Sequence, residues 1–178
     1  MTPEDLKALV RTVPDFPAPG ILFRDITTLI AHGPGLSATI DHLAEMAHGA
    51  GAEALAGMEA RGFIFGAAVA ARMGLGFVPI RKPGKLPVPT ISVDYMLEYG
   101  TDRLELDPTV IHKGQRVVIM DDLIATGGTA LAAAELLKLA GAHVTHAIFV
   151  IDLPDLNGAS RLRHAGLTVE ALMDFPGH

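Results

Sequence analysis

The second half of the chain alternates short apolar runs with helix-forming stretches, and that alternation restricts the fold more than any other feature. Residues 116–120 read as a buried strand, 128–140 as a helix closed by Gly141, 144–151 as a strand, 157–165 as a helix and 167–172 as a last strand. Strand–helix–strand units run their strands parallel, and a parallel sheet needs helices on both faces. An α/β fold with a central, mostly parallel sheet flanked by helices follows. Such sheets bind ligands beyond the carboxyl ends of their strands, so functional residues are expected just after apolar runs. The first half is less regular. Thr2, Pro3 and Asp5 have the order of an N-cap, a first-turn proline and an N3 acid, which predicts a helix over 3–12. Prolines at 14, 17 and 19 then impose an irregular segment that feeds a short strand near 21–24. Leu36, Ile40, Leu43, Ala44 and Ala47 fall at helical spacing, and strands over 54–58 and 76–80 flank a helix over 63–73. Residues 82–102 hold three prolines and few helix formers. That is too long for a structureless connector, so a functional loop is expected, with Leu104 and Leu106 marking a strand at its return.

Composition narrows the function. At 178 residues the chain is expected to form one domain. It has 19 glycines and only 5% aromatics, which suits small, closely approaching elements. There is no cysteine, which excludes disulfides, thiolate chemistry and cysteine-ligated zinc. No run is apolar enough to span a bilayer, and the opening MTPEDLK places acids where a signal peptide has bases, so a cytoplasmic protein without a membrane partner is expected. The net charge of −6 argues against nucleic acid as a partner. Eight histidines are present, but HExxH is not, and His143 and His146 would point to opposite faces of a strand. No metal held directly by protein side chains is expected.

The strongest local signal is VVIMDDLIATGGT at 117–129: an apolar strand, two adjacent acids, and a glycine-rich loop that opens a helix. Gly127 and Gly128 allow a tight turn, Thr126 and Thr129 offer hydroxyls, and several amides can converge on an anion at the helix N-terminus. The loop lacks the lysine of G-x-x-x-x-G-K-[ST], so a Walker nucleotide site is not supported. A Gly-Gly turn alone can be purely structural. Asp121 and Asp122 behind four apolar residues are harder to explain that way, and suit ribose hydroxyls or a metal reached through water.

This motif resembles the phosphoribosyl-diphosphate (PRPP) motif of the type I phosphoribosyltransferases. FPAPGILFRDIT, EARGFIFG, IRKPGKLP, LEYGTDRLEL and FPGH resemble, in order and over nearly the whole chain, segments of the members that act on adenine. The resemblance implies a fold with a small hood, from about 14–30 and part of the C-terminal segment, and a flexible lid over about 82–102. It implies the reaction of adenine with PRPP to give AMP and diphosphate, with Mg²⁺, in a homodimer. Ala125, Thr126, Gly127, Gly128 and Thr129 would then cradle the 5′-phosphate, and Asp121 and Asp122 the ribose hydroxyls. Glu59, Ala60 and Arg61 would form the diphosphate turn, partly through the amides of a non-proline cis peptide, and Arg81, Lys82 and Lys85 would add positive charge. Leu22, Phe23, Arg24 and Leu153 would hold the base, Glu98 would exchange a proton with the purine, and Tyr99 would order the closed lid. Taken without the resemblance, Arg61 could cap a turn, Phe23 could be core, and the basic cluster and Glu98 could simply face solvent. A transferase for 6-oxopurines and a PRPP-sensing regulator of the same fold remain as alternatives.

Overall fold

The computed structural model describes residues 1–97 and 99–177. Glu98 and His178 therefore lie outside the described residues. The central sheet has five parallel strands: β3 (Ala54–Met58), β4 (Gly76–Ile80), β7 (Val117–Ile124), β8 (His146–Asp152) and β9 (Thr168–Asp174), in the order β4-β3-β7-β8-β9. Alternate residues divide the core between the two faces. Leu55, Val118, Met120, Ile148 and Val150 pack beneath α3 (Gly33–Gly49) and α4 (Arg61–Met73). Ala56, Val117, Ile119, Ala147 and Phe149 pack on the other side with α5 (Gly128–Leu139) and α6 (Gly158–His164). This is the two-sided burial that the near-continuous apolar strands require.

Several elements differ from the sequence expectation. The first helix, α1 (Pro3–Lys7), has the expected capping box on Thr2 and Asp5, but it ends early. Residues beyond it form β1 (Arg11–Pro14), paired antiparallel with β2 (Leu22–Asp25) across the proline-rich turn. Arg11 and Asp25 form an ion pair within that ladder, a cross-strand attraction invisible to helical periodicity. A short helix, α2 (Thr27–Ile30), follows. The segment 82–102 is not a loop throughout, because it contains β5 (Ile91–Met96), which pairs with β6 (Thr101–Leu106) in a second antiparallel hairpin. Finally, β7 continues through both acids to Ile124 rather than stopping at Met120.

The connectivity decides where a ligand can sit. From β3 the chain crosses through α4 to β4 on one side, whereas from β7 it crosses through α5 to β8 on the other. Pairing between β3 and β7 ends at Ala56 and Ile119, although β7 runs on to Ile124. The diverging carboxyl ends of β3 and β7 leave a crevice at this switch in strand order.

Candidate functional site

A polar cleft of about 220 Å³ fills that crevice, lined by Met58, Glu59, Ala60 and Arg61 from the β3 side and by residues 121–130 from the β7 side. Its floor is the glycine-rich loop. Gly127 has φ 84°, and a Cβ there would come within 2.9 Å of the Gly158 carbonyl oxygen and of a Leu162 methyl. Gly158 presses on the loop from below: its N–H donates to the Ala125 carbonyl at 3.0 Å, and a Cβ would lie 2.3 Å from that oxygen. Arg161 adds a hydrogen bond from Nη1 to the Thr126 carbonyl. With carbonyls turned down onto α6, the first-turn amides of α5 remain free to meet an anion.

The acid pair lies opposite. Asp122 is only 4% exposed, and its Oδ2 forms an ion pair with Arg61 Nε at 2.9 Å. Its own N–H donates to Asp121 Oδ1. Burial, then the neighbouring Asp122 carboxylate, push the Asp121 carboxyl well above its usual range. Gly62 leaves room for Asp121, since a Cβ there would stand 2.8 Å from Asp121 Oδ1. The peptide between Glu59 and Ala60 is cis, as the family resemblance implies.

Glu59 and Arg81 are coupled. Glu59 Oε1 accepts from Arg81 Nε at 3.0 Å and from the Lys82 N–H at 2.7 Å. Burial works to raise the Glu59 carboxyl, but these donors outweigh it and hold it below its ordinary value. Arg81 also stands over the Phe63 ring at 5.6 Å. The Lys82 ammonium is turned to the β5–β6 hairpin, where it bonds Asp102 and the Tyr95 hydroxyl. Burial lowers its affinity for the proton, yet these partners more than compensate and raise it. Lys85 is exposed, and none of Arg81, Lys82 and Lys85 lines the cleft. Tyr99 is 86% exposed at the hairpin tip. The same hairpin packs along α5, and the Met96 carbonyl comes within 4.0 Å of a Cβ built on Gly128. Tyr99 therefore belongs to the element that overlooks the glycine-rich loop without lining the cleft.

A second cavity, of about 300 Å³ and largely apolar, adjoins the first. The structure brings Leu22, Phe23, Arg24 and Leu153 together around it, and Arg61, Leu123 and Ala125 line both cavities. Ile21, Leu123 and Leu156 complete the wall, and sequence reasoning did not select them. Arg24 differs from its neighbours. Its guanidinium donates to Thr12 Oγ1 at 2.6 Å and to the Pro176 carbonyl at 2.8 Å, and lies 4.7 Å from the Phe175 ring centre.

Fold and site together define an α/β protein that can hold a phosphorylated ligand at a strand-order switch, with a flat apolar group beside it. Residues 27–165 match the phosphoribosyl transferase domain, and the chain belongs to that family. It is 83% identical to an adenine phosphoribosyltransferase of Novosphingobium aromaticivorans over all of both chains, and 73% identical to one of Erythrobacter litoralis, again over all of both. Among solved structures, the adenine phosphoribosyltransferase of Thermoanaerobacter pseudethanolicus superposes with a TM-score of 0.92 at 46% identity, covering 98% of this chain and 100% of that one. The enzyme of Saccharomyces cerevisiae, solved with adenine and an imino-altritol bisphosphate, gives a TM-score of 0.88 at 38% identity, covering 96% and 97%.

Proposed function

We propose that this chain transfers the phosphoribosyl group of PRPP to adenine, releasing AMP and diphosphate, as an enzyme of purine salvage. The observation that carries this reading is the junction of two unlike cavities through Arg61, Leu123 and Ala125. A sugar phosphate suits the polar one, a purine suits the apolar one, and the bond to be made lies between them.

The 5′-phosphate is received by the amides and hydroxyls of residues 125–129. Asp121 and Asp122 hold the ribose hydroxyls and stand near the positive charge that develops on the ring as the old bond lengthens. Displacement at the anomeric carbon with inversion then joins the base to the sugar. Arg61 commits Nε to Asp122 and keeps its remaining guanidinium N–H groups for the departing diphosphate. Glu59 assists indirectly, by fixing Arg81 and the Lys82 amide at the next strand end. The base is sandwiched by Phe23 and Leu153. Glu98 exchanges a proton with the imidazole edge of the purine, and Tyr99 orders the β5–β6 hairpin as it closes over the donor and excludes water.

Mg²⁺ fits this site as an ion reached through the diphosphate and water. The adjacent carboxylates Asp121 and Asp122 are hard oxygen donors of the kind such a hydrated ion accepts. When bound, it offsets negative charge on the leaving diphosphate. We further infer a cytoplasmic homodimer, on the composition and on the family resemblance. Among the described residues no helix is long and apolar enough to cross a membrane.

The test is a turnover assay with adenine and PRPP, run in competition with hypoxanthine and guanine. Preferential consumption of adenine supports the proposal. Preference for a 6-oxopurine replaces it, and nucleic-acid binding without turnover overturns it.

A further inference from the structure

The apolar cavity has two walls that are not neighbours in the chain, and a third segment ties them together. One wall is β2, carrying Leu22 and Phe23. The other is the turn after β8, where Leu153 caps and Leu156 ends a single 3₁₀ turn, Pro154–Leu156. Between them runs 175–177, just past β9. Arg24 Nη2 on the first wall donates to the Pro176 carbonyl at 2.8 Å. Asp155 Oδ2 on the second accepts from the Gly177 N–H at 2.7 Å. Phe175 is buried beneath, with the Arg24 guanidinium over its ring, and Gly177 lies beside a Leu22 methyl. The β1–β2 hairpin forms its own two-stranded sheet, separate from the central one, so backbone pairing to the main sheet does not set its distance from Leu153.

We propose that Asp155 and Arg24 are positioning residues for the base: through Pro176 and Gly177 they fix the separation of the two walls, and hence the thickness of the slot that accepts a purine. The inference rests on the assignment of the base to this cavity. Neither polar group needs to touch the base. Arg24 is spent on Thr12 and Pro176, and Asp155 on Gly177. A slot held at one width binds a flat ring without ordering its own walls on each encounter. The sugar-phosphate cleft, framed by β3, β7 and α5, does not depend on the tie.

The experiment compares Asp155→Ala, Asp155→Asn and Leu153→Ala, measuring KM for adenine, KM for PRPP and kcat, with Tm recorded for each. Asp155→Ala removes the acceptor, and is expected to raise adenine KM by about fivefold, the scale of one lost hydrogen bond of modest net worth. PRPP KM should stay within about twofold, because the phosphate contacts are independent. Asp155→Asn keeps a side-chain carbonyl for the Gly177 N–H and should restore adenine KM to within about twofold of the parent. A purely structural role would not give a selective rise in one KM that the amide reverses. Unchanged adenine KM in Asp155→Ala, with a raised value in Leu153→Ala, would overturn the tie and leave the base site standing. No change in either variant would remove the base from this cavity and the tie with it. Equal rises in both KM values, or no rescue by asparagine, would also overturn the proposal.

Discussion

The two adjoining cavities are built in opposite ways. The polar cleft is made mainly by two stretches of chain, each at the carboxyl end of a strand of the same sheet, and its shape depends on backbone: Gly127, Gly158 and Gly62 stand where a Cβ would strike carbonyl or carboxylate oxygens. The apolar cavity is made by side chains from four places, the β2 wall, the end of β7, the turn after β8 and the first residue of α4, with 175–177 behind them. A phosphate is recognised by many converging dipoles, which a glycine-rich turn supplies locally. A purine is recognised by apolar faces at a set spacing, which only separate elements brought together can supply. The cleft should therefore fail abruptly when its backbone is altered, and the cavity should fail gradually and selectively.

The sharpest way to break the comparison is Gly158→Ala. Its methyl would lie 2.3 Å from the Ala125 carbonyl oxygen, so the glycine-rich loop must move. Turnover is expected to fall by ~10²-fold or more as the anion site is displaced by an ångström or so, and Tm should also drop. Parent-like kinetics in the alanine variant would show that the close α6 contact does not shape the loop. Arg61→Ala comes next, with kcat expected to fall by ~10²-fold, the usual scale for a contact to developing or departing charge. Because Arg61 lines both cavities, its loss should also leave Asp122 buried without a partner. Near-normal turnover would place the arginine outside the reaction.

Leu153→Ala probes the other cavity. It shortens a side chain only 7% exposed, and the expected result is a roughly tenfold rise in adenine KM with PRPP KM unchanged, as for a few methylenes lost from an apolar pocket. Steady-state kinetics varying each substrate in turn would check this, and an equal rise in both constants would mean that the cavities are not separable. The smallest effect concerns the foot of the β1–β2 hairpin. Hydrogen bonds from Thr27, then from Arg11, hold the Asp25 carboxyl down at about 2, below its ordinary 3.8. A carboxyl lowered in the folded state stabilises the fold above its unfolded value, and that contribution fades as pH falls from about 4 through 2. Asp25→Asn should thus lower Tm slightly at neutral pH, and the gap to the parent should close by about pH 2. A gap that persists at low pH would assign the loss to packing rather than charge.

The same division separates what was legible in the residues from what was not. The whole of the glycine-rich loop, the acid pair and the turn at 59–61 line the cleft, because each is a local pattern whose geometry follows from a strand end and a tight turn. The expectation of a helix over 3–12 was cut short by β1, whose strand partner, β2, lies across Pro17 and Pro19. The strand Ile91–Met96 was hidden for a related reason: its partner is β6, and strand propensity depends on a neighbour that periodicity does not reveal. Lys82 illustrates the limit for side chains. Its charge and place beside Arg81 suggest an anion ligand, but its nearest partners, Asp102 and Tyr95, come from the hairpin that folds back over it.

From the sequence alone came the parallel α/β sheet, the edge at which ligands bind, and the anion loop. These follow from hydrophobic alternation and from glycine placement, which act over a few residues at a time. The tertiary structure decided that β3 and β7 diverge beside each other, that Arg61 and Asp122 meet across the crevice, and that Leu22, Phe23, Leu153 and Leu156 share a cavity. Those contacts join residues far apart in the chain. No local pattern sets the distance between them; the packing of whole elements does.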